Sequence, residues 1–396
     1  GRMIVLDLES ELNPQYKRLH SYYGQPFIWC MLHNFGGTLG LYGSVENVNV
    51  GVFDGRSLKN GTMVGTGLTP EGINQNYVIY ELMNEMAWRT EPVNLTEWFS
   101  AYARRRYGAE NVHADNAWQL LKSGVYSFTG MRKVRGKYVI CRRPSLRLHQ
   151  WVWYNTTELA VAWDELLSAS AQLCSAANYR HDLVDVTRQA LQLLGGDLYS
   201  TIVAAFKQRN VTCFQQNSQL FQNLLTDMDV LLGSSKDFLL GHWLEGAKAV
   251  GTTVLEKQLY EYNARNQITL WGPRGEIVDY ANKQWAGVVS HYFLPRWRLF
   301  LNALNTSLDT GTPFNQTHTA ERIFMEVEKV FTLDTTVFPT VPQGDSIAIA
   351  TDIHTHWRNH FAAQQSQHRF QHHHRRASLG ISRSRSRIFS FTAEVS

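Results

Sequence analysis

Glu71 sits at a join in the sequence. It stands in "VGTGLTPEGINQNYVIYELMNEMAW", where a small, glycine-punctuated, extended run gives way to apolar residues at helical spacing. Those are Ile73, Tyr77, Tyr80, Leu82, Met83 and Met86, which predict a helix over 73–88. A carboxylate where a parallel strand turns into a helix occupies the active-site edge of α/β folds. A helix N-cap acid favoured by the helix dipole would occupy the same corner. A second strand end, "PFIWCMLHNFGG", brings His33 and Asn34 to the same lip, followed by Gly36 and Gly37. Hydrogen-bonding side chains beside a carboxylate describe a site that grips hydroxyls. Glycosidases need such a grip, together with two carboxylates flanking the scissile bond. A dinucleotide loop does not fit, because the spacing is G-x-G-x-x-x-x-G and Pro70 stands where a phosphate needs N–H donors.

These residues need elements to hold them. Three short apolar runs, 3–8, 26–32 and 63–67, read as strands buried on both faces. Between them lie helix-like stretches, "NPQYKRLHSYYG" and the weaker "GSVENVNVGV". Strand alternating with helix implies parallel βα units. From about Pro92 the periodicity is helical almost throughout, as in Leu183, Val186, Ala190, Leu194 and Leu198 along one face. The expected organisation is an α/β part over 1–92, an all-α domain over 93–362, and a disordered basic tail rich in His, Ser and Arg over 363–396.

Composition narrows the function. The chain has 396 residues, enough for two cores, with 12 Trp, 17 Tyr and 19 Phe. Aromatic wealth serves sugar-binding clefts and large cores alike. The net charge of +4 is carried by the tail, where six arginines against one glutamate give +5, so the body is near −1. That implies no nucleic-acid groove. No apolar run approaches the ~20 residues of a membrane span, so no membrane insertion is expected. Cys30, Cys141, Cys174 and Cys213 are far apart without a C-x-x-C, so no zinc site is signalled, and a 174–213 bridge stays open. His354, His356, His360 and His372–His374 read as part of a polar tract rather than as metal ligands. No metal and no cofactor are expected. Sequons occur at Asn60, Asn94, Asn155, Asn210, Asn305 and Asn315, where about three would arise by chance, and lean towards a secretory compartment.

"GQPFIWCMLHNFGG", "NGTMVGTGLTPEGINQN", "RRYG", "RRPS", "ITLWGP", "DYANKQWAG" and "PRWRLFL" together resemble the C-terminal half of the alpha-N-acetylglucosaminidases of glycoside hydrolase family 89. The resemblance runs from about residue 2 to residue 360. It implies the last strands of a (β/α)8 TIM barrel followed by an all-helical domain. It also implies metal-free, retaining removal of terminal α-linked N-acetylglucosamine from heparan sulfate, in a lysosomal or secreted setting. By motif, Glu71 matches the family's catalytic nucleophile, while the general acid belongs to an earlier strand that lies before Gly1. Trp271, Ile277 and Tyr280, in "LWGPRGEIVDY", match positions that contact the sugar, and the Gly-Pro turn after Trp271 puts it at a loop edge. "YSFTGMRKVRG" departs from relatives that carry a short disulfide loop there. The alternative is a non-catalytic glycan-binding or interaction module on the same fold. The partner expected in either case is a carbohydrate, and a homo-oligomer stays open.

Overall fold

A computed structural model describes residues 3–36, 40–72, 75–130 and 138–361. The tail 363–396, Gly37, Ile73 and all of "MRKVRG" lie outside the described residues.

Strands β1 (Val5–Asp7), β2 (Phe27–Met31) and β3 (Met63–Leu68) form a parallel sheet in that order. Val5 pairs with Phe27 and Met31 with Leu68, with one irregularity between Phe27 and Ile28. Phe27, Trp29 and Met31 are fully buried on one face. Helix α1 (Val45–Arg56) lies directly on Trp29, where a Cβ at Gly51 would stand 2.9 Å from the indole. On the other face of β1, Ile4 is 59% exposed and Leu6 51%. The apolar runs implied burial on both faces, whereas the described helices cover one.

The helix expected over "NPQYKRLHSYYG" is instead a set of turns. His20, Ser21, Tyr22 and Tyr23 have φ between 48° and 55°, the left-handed region. Tertiary hydrogen bonds replace the helical ladder. The Asp7 carboxylate accepts the Gln15 and Tyr16 amides at 2.9 and 3.2 Å, and the Thr62 hydroxyl donates to the Gln25 carbonyl at 2.5 Å. The segment ties β1 to the start of β3.

Helix α2 (Tyr77–Met86) starts later than its periodicity suggested, with Asn76 as N-cap, so Glu71 is not the cap. From Leu95 the described chain is helical: α3 (Leu95–Tyr107), α4 (Val112–Ser123), α5 (Thr156–Ser168), α6 (Ala177–Lys207), α7 (Val211–Gly233), α8 (Leu240–Ala249), α9 (Val254–Gln267), α10 (Leu294–Thr310), α11 (Gln316–Ile323) and α12 (346–361). Helix α6 runs through the middle and is buried nearly all round, carrying Asp182, Asp185, Arg188, Gln189 and Gln192 inside. They are tolerated because they are satisfied. Gln189 donates to the Tyr138 and Tyr154 hydroxyls at 3.0 and 2.7 Å, and Arg106 pairs with Asp182 at 2.5 Å.

The bridge between Cys174 and Cys213 does not form, and both are free thiols. They flank opposite ends of α6, whose 31 residues hold them about 45 Å apart at 1.5 Å per residue. Nor is the boundary near residue 92 a gap. Asn49 of α1 exchanges two hydrogen bonds of 2.9 Å with the Val93 backbone, and one continuous core runs from Phe27 to Trp357. Four sequon asparagines (Asn94, Asn155, Asn210 and Asn315) cap the N-termini of α3, α5, α7 and α11 through their side-chain oxygens. Asn60 lies exposed in a loop, and Asn305 is half-buried inside α10. Among the described residues no helix is long and apolar enough to cross a membrane.

Candidate active site

The exit from β2 is a tight turn. Asn34 N–H reaches back to the Leu32 carbonyl at 2.8 Å, with His33 between them at φ 68°. A side-chain-bearing residue in that turn is strained and must be held by its surroundings. Glu11 holds it from beneath, accepting the His33 amide at 2.7 Å and the Leu32 amide at 3.3 Å. Glu11 is buried, and desolvation raises its pKa to about 7 against the pull of those two amides. Burial likewise draws His33 down to about 3, so its imidazole is neutral at physiological pH. Neutral His33 receives the Asn76 side-chain amide at Nε2, 3.1 Å away. Asn76 also donates to the Gly40 carbonyl at 2.9 Å and accepts the Tyr42 amide at 3.1 Å.

Asn34 is spent inward as well. Its side chain accepts the Gly72 amide at 3.0 Å and donates to the Gly72 carbonyl at 3.3 Å. His33 and Asn34 are therefore not gripping groups on an open lip. Both are buried, and they form the layer behind the carboxylate that fixes the residue next to it. The expectation put them on an open lip, whereas the structure buries both side chains. The physical reason is the tight turn, which folds both side chains under the strand end.

Glu71 itself is exposed at the C-terminal end of β3. Its Oε2 accepts the Gly36 amide at 3.1 Å and the Tyr280 hydroxyl in a short hydrogen bond. Tyr280 comes from the segment between α9 and α10, so two distant parts of the chain meet on one carboxylate oxygen. Trp271 stands edge-on to the Tyr280 ring at 5.6 Å, and Ile277 is 44% exposed on the same turn. Asn266 pins that turn, accepting the Trp271 amide with its backbone carbonyl and the Gly272 amide with its side chain, both at 2.7 Å. Below it, Asp279 has φ 59° and is locked by buried Arg296 at 2.9 Å, and Arg296 also meets buried Glu328 at 3.1 Å. Gly36 has φ 65°, and a Cβ there would fall 2.4 Å from the Tyr280 carbonyl oxygen. Only glycine permits that approach.

Sequence reading passed over Glu11, Asn76, Asn266, Asp279 and Lys283, because a supporting role depends on the fold around each. The one usable signal was for Glu11, an acid three residues past the end of an apolar run. No group of three His, Cys, Asp or Glu able to hold a metal occurs among the described residues, and His354 is engaged by Asp164 at 2.7 Å. The arrangement offers an exposed carboxylate with one oxygen fixed by two donors and, among the described residues, no hydrogen bond to the other, beside an aromatic wall.

The described chain is similar to solved glycoside hydrolases. A family 89 glycoside hydrolase from Clostridium perfringens, in complex with PUGNAc, is similar over 88% of this chain and 41% of its own, at 27% identity and a TM-score of 0.81. A variant from the same organism with two Glu→Gln substitutions, in complex with its substrate GlcNAc-alpha-1,4-galactose, is similar at 27% identity and a TM-score of 0.80, with the same coverage of both chains. The profile of the alpha-N-acetylglucosaminidase tim-barrel domain matches residues 1–90, and that of the C-terminal domain matches 98–356. The chain belongs to the alpha-N-acetylglucosaminidase family. Human alpha-N-acetylglucosaminidase is 44% identical over 357 residues, 89% of this chain and 48% of that protein. The chain spans about half the length of that relative.

Proposed function

We propose that this chain supplies the nucleophile side of a retaining exo-glycosidase that removes terminal α-linked N-acetylglucosamine. The observation carrying this reading is Glu71, fixed through Oε2 by Gly36 and Tyr280 with Oε1 left to attack. In a retaining reaction that oxygen attacks the anomeric carbon as a general acid protonates the departing oxygen, and water then cleaves the glycosyl-enzyme. The acid would come from the part of the family fold outside these residues. The three strands would be the last strands of a (β/α)8 barrel. The support is their parallel order, the site residues at their C-terminal ends, and the exposed apolar side chains of Ile4 and Leu6 on the face away from α1, which suit a barrel interior. Trp271 would face the pyranose ring, with Ile277 and Tyr280 closing that side. Heparan sulfate-type glycans as substrate and a lysosomal or secreted location follow from the family resemblance.

The test uses the natural full-length protein and a fluorosugar that traps the glycosyl-enzyme. Mass spectrometry should find the label on the peptide containing Glu71, and Glu71→Gln should lose both label and turnover. Labelling of another residue, or turnover surviving in the variant, would remove the assignment. Glycan binding without turnover in the wild-type protein would leave the non-catalytic module standing.

A further inference from the structure

We propose that Lys283 is a positioning residue for Glu71, acting through Gly36; this rests on the glycosidase reading above. The Lys283 ammonium donates to the Gly36 carbonyl in a short hydrogen bond and to the Ala281 carbonyl at 3.0 Å. Gly36 is thereby held on both sides of its Cα, by its N–H on Glu71 and by its C=O on Lys283. Its backbone also touches the Tyr280 and Ala281 backbone too closely for any side chain. Tyr280, three residues before Lys283, donates to the same carboxylate oxygen. Both donors on Oε2 therefore depend on the segment 280–283. Releasing the ammonium frees Gly36 to rotate and withdraws one of the two groups that aim Oε1. Desolvation draws the Lys283 pKa down to about 8, so it remains charged at neutral and acidic pH. A lysine needed only for packing could be replaced by methionine without effect on the chemical step.

The experiment compares wild-type full-length protein with Lys283→Met and Lys283→Arg on an aryl α-N-acetylglucosaminide, with kcat and KM measured separately. Hydrogen exchange of segment 32–36 and thermal midpoints are followed in parallel. Misplacement of a reacting group by about 1 Å costs roughly 100-fold, so kcat of Lys283→Met should fall about 10- to 100-fold while KM stays within about threefold. Lys283→Arg, which keeps cationic donors, should recover part of that loss. A kcat for Lys283→Met within about twofold of wild type overturns the proposal, since that is well below the expected penalty. Loss of kcat and KM together, with a collapsed thermal midpoint and no recovery in Lys283→Arg, overturns it too. If the wild-type protein turns over nothing, the glycosidase reading fails and hydrogen exchange decides the clamp. Faster exchange at Gly36 in Lys283→Met then supports it, and unchanged exchange refutes it.

Discussion

Replacing Glu11 with glutamine should make the protein's stability less dependent on pH. Glu11 is a buried carboxyl whose pKa rises from 4.5 to about 7, chiefly by desolvation. A raised folded pKa means that the native state keeps a proton which the unfolded chain sheds above pH 4.5. The stability from Glu11 is therefore fully present below pH 4.5 and is lost as pH rises through 7. A shift of about 2.5 units corresponds to roughly 3.4 kcal/mol in all, of which about 2.5 kcal/mol falls between pH 5 and pH 8. Glutamine cannot titrate, and it faces the Leu32 and His33 amides at either pH, so its own hydrogen-bonding cost cancels in the comparison. Urea unfolding of both proteins at pH 5 and pH 8, followed by circular dichroism, gives two stability differences. The variant should gain about 2.5 kcal/mol on wild type between the two, by the same linkage. Equal differences at both pH values, within about 0.5 kcal/mol, would show that Glu11 is already ionised in the native state and refute the argument.

Tyr280→Phe removes the hydroxyl on Glu71 but keeps the ring against Trp271, so turnover should fall by about 10-fold, the 1.4 kcal/mol of one charge-assisted hydrogen bond, with little change in melting. A loss confined to stability would count against a role at the carboxylate. Asn94→Gln should cost about 1 kcal/mol even in protein made without glycosylation, since it deletes the cap of α3, whereas Asn60→Gln, exposed in a loop, should be neutral. Equal effects in the two variants would mean that the cap contributes nothing. Arg296→Met removes the guanidinium from buried Asp279 and one of the two guanidiniums on buried Glu328, which keeps Arg143, and should destabilise by about 3–5 kcal/mol in thermal or denaturant unfolding. A smaller effect, under about 1 kcal/mol, would show that the two carboxyls pick up protons or other partners.

Much of this protein was legible in one dimension. Strand and helix are written in the spacing of apolar residues, so "PFIWCML" and the long face of Leu183, Val186 and Ala190 identify themselves. Glu71 was legible too, because a proline and a glycine flank a carboxylate where one period gives way to another. Local chemistry carries that much. The segment 14–23 was misleading for the converse reason: Gln15 and Tyr16 bond to Asp7 and Ser21 to Thr62 beside β3, which no local pattern records. The sequons carried a double meaning, since an asparagine that caps a helix followed by threonine writes the same three letters. What only the tertiary structure decided is who touches Glu71. Tyr280 stands 209 positions away and Lys283 is 247 positions from Gly36, and only the folded chain brings them together. His33 and Asn34 were found by type and place, but a single turn at φ 68° buried them, so that they support the carboxylate from behind. Backbone strain and long-range contact are properties of the folded chain, and the order of residues alone does not contain them.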